Sequence, residues 1–179
     1  MNKNHAQNSS PKILKQSFKK TLLALALASF STVCAADVQI SRVTVNTQGE
    51  ELNGDVWGKS LVSNTGDVVF ASKATNLVDN DVTDNRYDLF LKNQLSGEVE
   101  FVNVHSDGTQ GESDAYAFNM SPDGNMIVFR SNAYNLTDDP NSFYQHLYLR
   151  DRKTNQTLLV SKGFNGQAAN GNSYDADVS

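Results

Sequence analysis

The chain of 179 residues has one cysteine, Cys34. It lies within the first 36 residues, so the rest of the chain can form no disulfide and must draw its stability from packed sheet. Histidine is also scarce, with only His5, His105 and His146. No His-x-x-x-His or Cys-x-x-Cys spacing exists, which leaves a zinc site without support. There is no glycine-rich phosphate loop. Beyond residue 36, ten basic residues stand against twenty acidic ones, a net charge of −10. That balance repels nucleic acid and anionic lipid, both of which bind basic patches. No apolar run beyond residue 36 is long enough to span a bilayer, and no stretch there shows a helical stripe.

The first 36 residues are of another kind. Lys3, Lys12, Lys15, Lys19 and Lys20 come with no acidic residue, followed by an apolar run at 21–33 and then Cys34-Ala35-Ala36. A basic head, a short apolar stretch and small residues describe a secretory signal peptide, cleaved after Ala35 or Ala36. This places the domain at 37–179 in the periplasm or outside the cell. A lipoprotein anchor on Cys34 is the rival reading. It needs a small residue just before the cysteine and an aliphatic one three before, where the chain has Val33 and Ser31.

What the chain does have is a period. Residues 101–121 and 159–179 match at an offset of 58, with Gly108 answering Gly166, Tyr116 answering Tyr174 and Ser121 answering Ser179. A fainter copy places Ser63, Gly66, Asn76-Leu77, Leu89 and Leu91 against Ser121, Gly124, Asn135-Leu136, Leu147 and Leu149. A fixed period of this size marks a repeat architecture. Each unit offers four strands rich in Val, Phe, Tyr and Leu, bounded by turn residues. They are 57–62, 68–72, 87–92 and 99–104, then 115–120, 126–131, 146–150 and 157–161. The runs Val68-Val69-Phe70 and Ile127-Val128-Phe129 are apolar throughout, as in a strand buried on both faces. Ser121-Pro122-Asp123-Gly124 and Ser63-Asn64-Thr65-Gly66 read as hairpin turns between first and second strands. Residues 93–97 and 151–155 close the hairpins from third to fourth strands.

Four antiparallel strands per repeated unit predict an all-β chain and a partial β-propeller. The expectation is two complete four-stranded blades, a leading outer strand at 39–46 and the first strand of a third blade at 174–179. Propellers have about four to eight blades, so two cannot close a ring. The chain therefore reads as a piece of a longer propeller, whose open edges and apolar blade faces invite self-association.

The second unit runs Ser121-Pro-Asp-Gly-Asn-Met-Ile-Val-Phe-Arg-Ser-Asn-Ala-Tyr-Asn-Leu-Thr-Asp-Asp, and later Leu147-Tyr-Leu-Arg-Asp151. This resembles the TolB-like, WD-like β-propeller repeats of exported bacterial proteins. The first unit departs from the pattern, with Thr65 in place of Asp and Lys92-Asn93 in place of Arg-Asp. The resemblance covers nearly all of 38–179. It implies a propeller fold and says little about function, because propellers host unrelated activities.

Candidates for chemistry are few. Gly111-Glu-Ser113-Asp-Ala115 and Gly171-Asn-Ser173-Tyr-Asp175 both lack the second glycine of a nucleophile elbow. The acidic loops are the strongest remaining signal. Asp79, Asp81 and Asp84, with Asp138 and Asp139 at the matching place in the second unit, offer hard oxygen donors of the kind calcium prefers. They lack the glycine and distal glutamate of an EF-hand loop, and turns favour Asp and Asn without any metal. In a propeller blade the longer loops share one face, and here that face sums to −6 against zero for the opposite hairpins. It suits calcium or a cationic protein partner; no other cofactor is expected. Trp57 reads as core or channel packing rather than a sugar-stacking residue. The expected function is a non-catalytic protein-interaction scaffold. One alternative is the accessory propeller of a secreted serine hydrolase whose catalytic domain lies elsewhere; the other is a calcium-dependent surface or adhesion module.

Overall fold

The computed structural model describes residues 42–79, 81–82, 85–139 and 143–179. The expected signal peptide, with Cys34 and both cleavage positions, lies outside the described residues. So do residues 39–41 of the expected leading strand.

Every element is a strand: β1 (Val56–Val62), β2 (Asp67–Ser72), β3 (Asp88–Asn93), β4 (Val99–Phe101), β5 (Ala115–Met120), β6 (Met126–Ser131), β7 (His146–Asp151) and β8 (Gln156–Leu159). They form two four-stranded antiparallel sheets, ordered β1-β2-β3-β4 and β5-β6-β7-β8. No helix occurs among the described residues, and none is therefore long and apolar enough to cross a membrane.

The apolar runs have a direct cause. β2 is buried along its whole length. Its side chains alternate between two cores. Val68 and Phe70 enter one cluster with Ala74, Leu77 and Phe90. Val69 and Ala71 enter the other, where Leu89 and Leu91 meet Ile127, Phe129 and Tyr148 of the second sheet. Equivalent aromatic pairs recur, with Phe70–Phe90 at 6.1 Å and Phe129–Tyr148 at 5.5 Å between ring centroids. The second sheet thus packs its Phe129 face against the Val69 face of the first.

The hairpin turns follow their glycines. The Gly66 N–H donates to the Ser63 carbonyl and the Gly124 N–H to the Ser121 carbonyl. Both glycines have positive φ, 87° and 73°, which a side chain tolerates poorly. In the turn from third to fourth strand, Gly97 has φ 77° and its counterpart Asn155 has φ 57°. Asparagine is among the few residues that accept that region.

The fourth strands end sooner than the sequence suggests, at Phe101 and Leu159 rather than at 104 and 161. The Val104 N–H turns back to the Val102 carbonyl at 3.0 Å, and the Lys162 N–H to the Val160 carbonyl at 2.8 Å. Such i to i+2 bonds close γ-turns at strand ends. The residue at each bend then caps the third strand. Asn103 Oδ1 accepts the Leu89 N–H at 2.8 Å, and Ser161 Oγ accepts the Leu147 N–H at 3.1 Å.

Among the described residues, neither 42–46 nor 174–179 forms a strand. Residues 42–46 are irregular apart from a bridge between Val45 and Glu51. They repeat the loop that follows the γ-turn, with a Val45 N–H to Val43 carbonyl bond and the Asn46 N–H on the Glu50 carbonyl. Bridges at Val104–Gln110 and Lys162–Ala168 complete three copies. The alignment of Val43, Val45 and Gly49 with Val102, Val104 and Gly108 therefore marks the shared loop that follows a fourth strand; the positions matching β4 fall at 40–42, of which 40 and 41 lie outside the described residues. Residues 174–179 are likewise irregular. A strand needs a neighbour for its backbone groups, and none of the described strands lies beside them in a sheet.

Two sets of loops segregate. On one side the hairpin turns meet, with the Asn64 N–H donating to the Pro122 carbonyl at 2.7 Å. Arg152 ties the sheets there, from Nη1 to Asp67 Oδ2 at 3.2 Å and from Nε to Glu100 Oε1 at 2.6 Å. On the other side each Asn-Leu motif clamps the loop before it. Asn76 Nδ2 donates to the Glu51 carbonyl and Asn135 Nδ2 to the Gln110 carbonyl, at 2.9 and 2.8 Å. Leu77 and Leu136 are buried beneath them.

Candidate functional site

Of the acidic residues singled out from the sequence, those described fall on the Asn-Leu side. Asp79 is exposed in the loop between β2 and β3. Asp81 Oδ1 accepts Gln110 Nε2 at 3.1 Å, while Gln110 Oε1 accepts the Val82 N–H at 3.2 Å, so this glutamine clips the loop to its neighbour. Asp84 lies outside the described residues. Asp138 is exposed, with Oδ1 3.6 Å from His105 Nε2. Asp139 pairs with Lys162 Nζ at 2.7 Å. The four described residues are therefore not gathered in one cluster: Asp81 faces Gln110, Asp138 faces His105, Asp139 faces Lys162, and Asp79 is exposed. Among the described residues no group of three or more His, Cys, Asp or Glu is arranged to hold a metal.

A cleft of about 260 Å³ lies among these loops, lined by His105, Ser106, Thr137, Asp138, Asp139 and Thr157. Its neighbour Asp107 is a strong acid. Hydrogen bonding to Thr109, first from the backbone N–H, with a further bond to His105, lowers its pKa to about 2. It carries full charge at neutral pH, so the loop face keeps its acidity.

Most other polar candidates serve the repeat. His146 is buried, with Nδ1 3.1 Å from Ser161 Oγ. The Ser173 N–H donates to the Gln145 carbonyl at 2.8 Å, as the Ala115 N–H does to the Tyr87 carbonyl at 2.7 Å. Lys92 is buried and its Nζ donates to the Val45 carbonyl at 2.6 Å; burial pushes its pKa down. The corresponding Arg150 holds the Asn155 carbonyl at 2.8 Å.

A second concavity, of about 390 Å³, lies where the two first strands approach each other. Trp57, Gly58 and Lys59 come from β1, Tyr116 and Ala117 from β5, and Arg130 from β6, with Tyr174 and Asp175 from the irregular segment. Trp57 is 59% exposed and thus outside the core. Its ring stands 6.2 Å from Tyr87, which stands 6.2 Å from Tyr116. Lys73 Nζ lies 4.7 Å from the Tyr87 centroid and Arg130 Cζ 5.2 Å from that of Tyr116, both within reach of cation–π attraction. The recurrence of Tyr116 and Tyr174 at one phase of the repeat hinted at this surface. Nothing in the linear chain showed that Trp57 and Arg130 would join them.

Comparison with known proteins finds no matching family model, no matching curated protein and no matching solved structure.

Proposed function

We propose that this chain is an exported β-propeller-repeat protein acting as a non-catalytic protein-interaction scaffold. Its acidic loop face engages a cationic partner. Support for the propeller reading comes from the repetition itself. Two sheets of the same strand order pack face to face, and the same γ-turn loop, Asn-Leu clamp and hairpin recur in phase. Support for export comes from the character of residues 1–36.

One observation carries the scaffold reading. Buried polar side chains such as Asn103, Lys92 and His146 are bonded to the fold in phase with the repeat, whereas Asp79, Asp107, Glu112 and Asp138 are exposed on the loop side. Loops held on a rigid scaffold are where binding resides. Charge of one sign on such a face steers a partner of the other sign.

The test places a photo-crosslinking residue at position 79, 138 or 153 of the chain expressed in intact cells. Adducts from 79 and 138, absent from 153 on the hairpin side, are expected. With the crosslinking residue kept at 79 or 138, replacing Asp107, Glu112 and the remaining one of Asp79 and Asp138 with lysine should abolish them. Adducts from 153 alone, or adducts indifferent to the charge change, would overturn the reading. Amino-terminal sequencing of exported protein should begin at Ala36 or Asp37.

A further inference from the structure

The concavity between the first strands brings exposed aromatic rings together with irregular backbone. Trp57 and Tyr174 are 59% and 62% exposed, so both forgo the burial that favours aromatic residues in a core. Both first strands are irregular at this point. The β1–β2 register shifts between Trp57 and Leu61, and the β5–β6 register between Ala117 and Asn119. Bulges re-aim side chains and gather beside functional sites. Gly58 sits within the β1 irregularity at φ 80°, and no atom lies within 4 Å of where a Cβ would stand. The wall of the concavity is therefore bare backbone at that point.

Its charge also runs against the rest of the chain. Lys59 and Arg130 line it against one carboxylate, Asp175. That is a local excess of one positive charge, on a chain whose residues beyond 36 carry a net −10. The neighbouring rings are ordered before any ligand arrives, because Lys73 and Arg130 lie over Tyr87 and Tyr116. A volume of about 390 Å³ falls in the range of small-molecule sites.

We propose that this concavity binds a small ligand that has a flat apolar ring face and a carboxylate. The ring face packs on Trp57 and Tyr174, and the carboxylate lies toward Arg130 and Lys59. A guanidinium matches a carboxylate in shape as well as charge. A uronate sugar and an aromatic acid both present this chemistry. The site is separate from the acidic loop face and does not depend on the scaffold reading.

Trp57 is the only tryptophan in the chain, so its emission reports directly on the site. The full chain is titrated with a glucuronate disaccharide and with 4-hydroxyphenylacetate, each beside its uncharged counterpart, a glucose disaccharide and 4-hydroxyphenylacetamide. A saturable change with at least one acid, and at least tenfold weaker binding of its uncharged counterpart, is expected. The acid that saturates identifies the source. Arg130→Gln should weaken binding about tenfold, and Asp175→Asn should tighten it severalfold. Asp175 lies in an irregular exposed segment, so its variant tests the idea even if Arg130→Gln does not fold by circular dichroism. No saturable change with either acid would overturn the proposal. So would equal responses to acid and neutral probes, or an unchanged affinity in Asp175→Asn.

Discussion

The two sheets meet one demand with different side chains. At the start of each third strand, a backbone N–H must be satisfied by the residue at the γ-turn. The first sheet uses Asn103, wholly buried, which also donates through Nδ2 to Asp88 Oδ1 at 2.7 Å. The second uses Ser161, half-buried, which meets His146 instead. The same holds elsewhere. Lys92 answers Arg150, Gly97 answers Asn155, and Thr65 answers Asp123. The period fixes where a donor, an acceptor or a positive φ is needed. It leaves open which residue supplies it, provided the local burial tolerates the choice.

The sharpest way to break this equivalence is at the γ-turn. Asn103→Ala removes the acceptor of the Leu89 N–H and a donor to the buried Asp88 carboxyl, and should cost about 3 kcal/mol. Ser161→Ala removes a more accessible hydroxyl that serves the Leu147 N–H and His146 Nδ1 and leaves no carboxylate short of a donor, so it should cost about 1.5 kcal/mol. Urea denaturation of the two variants measures the gap, and equal losses would end the comparison.

Next comes the hairpin side. Arg152→Gln severs the ties to Asp67 and Glu100 and should cost about 1.5 kcal/mol, because Asp67 is nearly buried while Glu100 is half exposed. The adjacent Lys153, 3.7 Å from Asp123 and well exposed, should change stability by less than about 0.5 kcal/mol when made Gln. Thermal melts of both variants separate a tie between sheets from a solvated pair.

The turn from third to fourth strand gives a smaller contrast. Gly97→Ala meets no atom within 4 Å, so its expected cost of about 1 kcal/mol is purely the strain of φ 77°. Asn155→Gly relieves such strain but loses a 3.3 Å bond from Arg150 Nη2, and should fall within about 0.5 kcal/mol of neutral.

Acid should loosen the second hairpin turn before the first. Asp123 is held well below the usual carboxylate range, chiefly by the Ser121 hydroxyl and then by Asn125. A carboxyl with a lowered folded pKa stabilises the fold above its unfolded value of about 4, and that contribution fades as pH falls toward the folded value. Thr65 has no proton to take up at the matching place. Amide exchange followed from pH 5 to pH 2 should show Asn125 losing protection while Asp67 keeps it. Asp123→Thr should remove the difference.

All eight strands were legible in the sequence, with starts within one residue. Alternation, β-branched runs and turn glycines are local signals, and the repeat counted each twice. Four ends were not. The fourth strands stop early because Asn103 and Ser161 turn to cap another strand, a partnership invisible to a local pattern. Residues 42–46 match the loop after a fourth strand, and 174–179 carry strand-like sequence with no described strand beside them. The acidic loop residues were found by composition, and the structure shows what Asp81, Asp138 and Asp139 face. Trp57 was noticed and assigned to packing, because its exposure depends on what the neighbouring strand does.

The amino-acid sequence by itself determined the period, the strand positions, the turn types and the excess of acid, since each depends on residues a few places apart. Tertiary structure alone decided which apolar face meets which core. It alone placed Arg152 on Asp67, 85 residues away, and drew Trp57, Arg130 and Tyr174 around one concavity. Those arrangements depend on sheets packing against each other, and packing joins residues that no local spacing relates.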